Sequence, residues 1–386
     1  MSEPVKRINP TPESYCPKDK PEILNMAEDG AAKFRPGQMN NINNVLRLFH
    51  DDPSHNYMFC ECMWSLMRAL NEDARLDFQF FAAVTGDLFS QIWLEPIWNY
   101  NDSLSSVFKD TLIPIQAAFG ACGYDFDYIP QKEVQANKQA HIQRIMKSID
   151  HGVPVLTFGI IGPPICSIIT GYADEGAQLI GWAQFTDEPK ESNPLDLEPS
   201  PGLFCVRNGL DRSVALVFPK EKNSQPNISD VYYKIISKIP NWIAVPPEIQ
   251  KQYDAILAPK NVCLGKTAFD KWADTYADDA IFENDAILGS AADTYGSCMV
   301  MIGTNMHHMQ EFLNRAQSFC PDAYDLFQKL RTAYSELNAG LQDLISFQGG
   351  YFIDSKKFMN SGFRVGIAER IRHLGVLYQA VGEVIK

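Results

Sequence analysis

The sequence predicts an α+β domain followed by an all-helical one, and two observations carry that reading. Between Asn41 and Gly152 apolar residues recur at helical spacing, and five short segments rich in β-branched and aromatic residues then follow one another. Helices first and a meandering antiparallel sheet afterwards is the α+β pattern. After "PNWIAVPPEIQ" the strand alphabet ends and helical periodicity returns. The expected division is an extended arm at 1–40, an α+β domain at 41–245 and a helical bundle at 246–386.

The first 40 residues hold six of the 24 prolines and little periodicity, hence the arm. "FCECMWSLMRAL" puts Met63, Leu66, Met67 and Leu70 on one helical face, and "DFQFFAAVTGDLFSQIW" is a second helix interrupted at Gly86. "SVFKDTLIPIQAAFGACGYDFDYIP" reads as a helix ending near Gly120–Gly123 and then an extended piece. "KEVQANKQAHIQRIMKSIDHG" is a third helix, with Val134, Ile142, Ile145 and Ile149 inward and Gly152 as its stop. The strands are "PVLTFGII", "CSIITGY", "AQLIGWA", "GLFCVRN" and "SVALVFPK", and the proline-rich "EPKESNPLDLEPSPG" between two of them is a surface loop. Four later segments are helical; in the last, Phe363, Ile367, Ile371, Leu374, Tyr378 and Val381 recur at steps of four and three. Pro321 and Gly349-Gly350 mark breaks between these helices.

Composition narrows the partners. A chain of 386 residues, 45% hydrophobic and 21% charged, can bury two cores. The net charge of -13, with no basic run, argues against nucleic acid and anionic membranes. The polar, proline-rich first residues lack the apolar stretch of a secretory signal, and no run reaches the roughly 18 apolar residues of a membrane span, so a cytoplasmic protein is expected. Nine cysteines, scattered from Cys16 to Cys320, lack the paired spacing of a disulfide framework or a zinc site. No metal and no other cofactor is expected, and self-association is left open.

Three strings carry a resemblance: "CMWSLMRAL" with "DFQFFAAVTGDLFSQIW", then "HGVPVLTFGIIGPPICSIITGYADEGAQLIGWAQF", and the helical "GKTAFDKWADTYADDAIF" onward to Glu336. They resemble a bacterial family without an assigned reaction. That family is in turn similar to the N-terminal domain of the butirosin-biosynthesis protein H type and, more distantly, to papain-like bacteriocin-processing cysteine peptidases. The resemblance implies a papain-like fold for the first domain, with Cys62 at a helix start in the nucleophile's place and Cys60 as the alternative. It also implies that the base should open the strand "ICSIITGY". The peptidase relatives place a histidine six residues before the glycine of the Gly-Tyr pair and the reactionless family a glutamate; here that slot is Ile165. The third, orienting residue would end the next strand, where Gly181-Trp182 stands.

Papain-type chemistry needs a thiolate, a helix N-terminus that favours it and an imidazole to take its proton. Four histidines elsewhere in the chain do not supply one: His151 lies at the far end of the sheet, His141 on the polar side of its helix, and His307-His308 point to different faces with no third metal ligand at useful spacing. Without a base, Cys62 reads more simply as a small buried side chain at a helix start. The expected ligand wall is Gly162, Pro163, Pro164 and Ile165 at a tight connection, with Tyr172 and Trp182 as aromatic faces. Asp87, in "TGD", is placed near the cleft by the resemblance alone. Two functions follow: binding of a small molecule or peptide by a domain that has lost its base, or a cysteine-dependent acyltransferase or amide hydrolase using Cys62.

Overall fold

The structure, a computed structural model, describes residues 40–42, 45–46, 48, 55–95, 103–108, 110–162, 164–184, 202–245, 247–251 and 261–385. The expected arm up to residue 39, Pro163 and most of the proline-rich insertion lie outside the described residues. Mixed helices and an antiparallel sheet come first, and a helical region completes the chain.

The first helices are α1 (Met58–Ala69), α2 (Phe78–Thr85) and α3 (Leu112–Cys122). Asp77 caps α2 by accepting from the Phe80 N–H, and Gly86 ends it in the left-handed region, as the sequence suggests. Helix α1 begins earlier than expected: the Glu61 N–H already bonds the Tyr57 carbonyl, so Cys62 is the fifth helical residue rather than the first. The single helix expected before the sheet is two, α4 (Gln131–Ala136) and α5 (Lys138–Asp150), broken at Asn137.

Seven strands form the main sheet: β1 (Asn40–Asn41), β3 (Tyr124–Pro130), β4 (Val155–Phe158), β5 (Cys166–Ala173), β6 (Gln178–Trp182), β7 (Leu203–Arg207) and β8 (Ala215–Lys222). The order is β3-β8-β4-β5-β6-β7, with β1 also on β5, and every pairing is antiparallel. It is not a plain meander, because β8 returns to lie between β3 and β4.

Period-two alternation divides the core. Leu156 pairs with Ile168 and with Val217, and all three join a large apolar cluster with Met63, Leu66 and Met67 of α1. Val155 pairs with Ile169, and these pack instead with Ile145 and Ile149 of α5 in a second cluster. Strand β5 is buried over all eight residues because it is covered on both faces.

The later helices are α6 (Ile228–Ile243), α7 (Pro247–Gln250), α8 (Lys266–Ala277), α9 (Leu288–Phe319), α10 (Tyr324–Gln348) and α11 (Ser361–Glu383). Helix α6 was not expected, nor was the short pair of β2 (Ile92–Leu94) with β9 (Val262–Leu264), which joins the two halves of the chain by main-chain bonds. Helix α11 packs on α8, α10 and α6, and of its expected inward residues Ile367, Ile371, Leu374, Tyr378 and Val381 are buried while Phe363 is half-buried. The large cluster that starts under the sheet continues through residue 245 into α8, α9, α10 and α11. No described helix is long and apolar enough to cross a membrane.

Candidate ligand-binding site

The start of α1 lies over the start of β5. There Met58 and Phe59 face Phe158, Pro164, Ile165, Cys166, Val214 and Ala215 across a cavity of about 70 Å³. Thr111, Pro114 and Ile115 from the start of α3, with Tyr128, Ser105 and Ser106, complete the wall. The lining is mainly apolar with a few hydroxyls, of which Thr111 Oγ1 donates to Tyr128 Oη at 3.2 Å.

Cys62 is fully buried and does not line this cavity. Burial pushes its thiol pKa well up, a hydrogen bond with the Cys166 thiol adds to that, and Cys166, Glu61 and Cys60 raise it further by charge. The helix N-terminus favours an anion only within the first turn, and Cys62 lies beyond it. Its thiol is therefore held neutral. Cys60, two residues earlier, meets a different obstacle: its Sγ is 3.5 Å from both Thr85 Oγ1 and Asp87 Oδ2. Burial first and the Asp87 charge second push its pKa well up too.

Asp87 stands behind the cavity wall rather than in it. Its carboxyl accepts from Thr85 Oγ1 at 2.5 Å and from the N–H of Ser105, a lining residue, at 3.1 Å. Burial raises its pKa, while the bonds from Thr85, Ser105 and Cys60 pull the other way.

Of the expected wall, Pro164 and Ile165 meet at the cavity. Gly162 holds a positive φ of 65° two residues away and does not line it. Tyr172 faces away: it belongs to the α5 side of the sheet, and its hydroxyl donates to Asp150 Oδ1 at 2.7 Å. Trp182 is buried in the large core, paired with Ile168 and Leu203. Both aromatics are packing residues, because alternation on β5 and β6 sends them to faces already filled.

The histidines also fall differently from expectation in part. His151 caps α5, its Nδ1 2.7 Å from the Lys147 carbonyl, but His141 and His308 are buried. A third group that could serve beside His307-His308 is at hand, against expectation: Glu311 lies one turn on, and donor atoms of the three residues lie within 4.8 Å of one another.

No protein-family model matches the chain, and no curated protein matches it. The site therefore stands on its own geometry. The residues the sequence did not single out, Cys166, Ser105, Thr111 and Tyr128, are brought in by β5, the 104–106 turn, the start of α3 and β3. No spacing links them. A faint signal for Cys166 alone was its position next to Ile165.

Proposed function

We propose that this chain binds a small molecule or peptide without turning it over, using a papain-like arrangement whose catalytic base is replaced by Ile165. The observation that carries the reading is the separation of thiol from cleft: Cys62 is sealed behind the cavity against Cys166, while the cavity itself is walled by Met58, Phe59 and Ile165. A cavity of about 150 Å³ takes benzene. The 70 Å³ here suits the tip of one aliphatic side chain or a short acyl chain, the hydroxyls of Ser106 and Thr111 supplying direction.

The rival, an acyltransferase or amide hydrolase, needs a base within about 3–4 Å of the nucleophile. The groups acting most strongly on Cys62 each raise its pKa. Two measurements test the choice. A thiol-reactive probe applied across pH should label Cys62 in the native protein no faster than an ordinary buried thiol; labelling well below the ordinary cysteine pKa that disappears in Cys62→Ala would establish a thiolate and overturn the proposal. N-acetyl-leucinamide should bind, by ligand-observed NMR, and lose binding in Ile165→Trp, which fills the cavity. Equal binding by both proteins would place the ligand elsewhere.

A further inference from the structure

We propose that His307, His308 and Glu311 of α9 form a site for one divalent transition-metal ion of the Zn²⁺ class. The three donor atoms lie within 4.8 Å of one another on one turn of a 32-residue helix. Two imidazoles and a carboxylate are the nitrogen and oxygen set that such ions take, and three protein ligands leave a position for water or a substrate oxygen.

The neighbouring side chains show why this is more than proximity. His308 is 2% exposed, and its Nδ1 lies 3.2 Å from Gln79 Nε2 on α2. The same amide nitrogen donates to Glu311 Oε2. One imidazole nitrogen and one carboxylate oxygen thus converge on a single point that an electropositive group occupies, which is what a cation site requires. Arg315, one turn further along α9, would ordinarily compete for Glu311, but its guanidinium is held by both oxygens of Asp77, at 2.9 and 2.8 Å, and by Gln79 Oε1 at 3.1 Å. Among the described residues Glu311 makes no ion pair, so its charge is available to a metal.

Bond lengths near 2.0–2.2 Å put tetrahedral donors about 3.4 Å apart, so the three must close by roughly an ångström. Glu311 is exposed and His307 half-buried, so both can turn; His308 is fixed and sets the position. On binding, the ion takes the place of the Gln79 amide nitrogen. The His55 ring stacks 5.9 Å from that of His308, and its Nδ1 lies 3.6 Å from Oε1 of the buried Glu61. The stacked His55 ring helps to fix the His308 imidazole in place.

The test is Co²⁺ titration of the full chain, after chelator treatment, read by its visible absorption. One equivalent should bind with the bands of nitrogen and oxygen ligation, and His307→Ala and Glu311→Gln should each weaken binding at least tenfold while His373→Ala leaves it unchanged. Both ligand variants alter side chains that are not fully buried, and circular dichroism checks that they fold. Absence of binding, binding indifferent to both variants, or a sulfur-to-cobalt charge-transfer band, which would assign the ion to the cysteines, overturns the proposal. This site is separate from the cavity at Ile165, so either can fail without the other.

Discussion

Asp87 is a carboxyl where water does not reach: it is 1% exposed, and three donors from three segments surround it. Burial dominates and raises its pKa above the ordinary 3.8. A raised acid contributes its stability fully below the unfolded-state pKa and loses it as pH climbs through the folded value, because the folded protein then either carries a buried charge or holds an extra proton. Asp87→Asn removes that titration and keeps an acceptor for the Ser105 N–H. Urea unfolding of the variant should show less loss of stability than the parent as the pH rises above about 4. Identical pH profiles would mean that Asp87 titrates normally. The sequence makes only the nearest of its partners legible: Thr85 is two residues away, whereas Cys60 and Ser105 arrive through the packing of α1 and the turn at 104–106. Glu311 is a different case: it lies four residues from His307 and three from His308, a spacing the sequence does show.

At the scale of elements, what repeats is legible and what is decided by a distant neighbour is not. The five strands from Val155 to Lys222 form where β-branched alternation and flanking Gly, Asp and Asn place them. Helix α6 is hard to read from sequence because "ISDVYYKIISKIPNWI" is written in residues that favour strands and carries Pro240. Burial of Tyr232, Ile235, Ile236, Ile239 and Ile243 against the core and the Asn227 cap outweigh that preference. Strands β2 and β9, three residues each, are too short to show a period. Gly86 illustrates both halves of the rule. Its role as a helix stop is readable, but the reason no other residue fits is Trp242 of α6: a Cβ on Gly86 would lie 2.5 Å from that indole, at a φ of 91°. Gly86→Ala should therefore cost about 2–4 kcal/mol, backbone strain and overpacking together, in urea unfolding. A cost under about 1 kcal/mol would show that the indole gives way.

At the scale of the whole molecule, the expected boundary near residue 245 meets a core that does not break there. Phe89, just after α2, stacks on Trp242 at 5.3 Å and meets Phe312 of α9 edge-on at 5.6 Å, while its carbonyl accepts from the Tyr378 hydroxyl of α11. Tyr57, at the cap of α1, donates to Asn305, whose own amide donates to the Ser90 carbonyl at 3.1 Å. Arg315 closes the same seam through Asp77, in a half-buried pair. An interface between independently stable domains is more polar than this and leaves each core closed. Removing α8 to α11 would instead strip Phe312 from Phe89, and both Phe312 and Phe319 from Tyr232. We expect the full chain to unfold in urea as one transition, with coincident curves from tryptophan fluorescence and far-ultraviolet circular dichroism, and the segment 41–245 alone to lack the near-ultraviolet signal of fixed aromatics. Two separated transitions, or a well-packed 41–245 segment, would show that the helices after residue 245 form a domain of their own and that the aromatic seam is a docking surface between two cores.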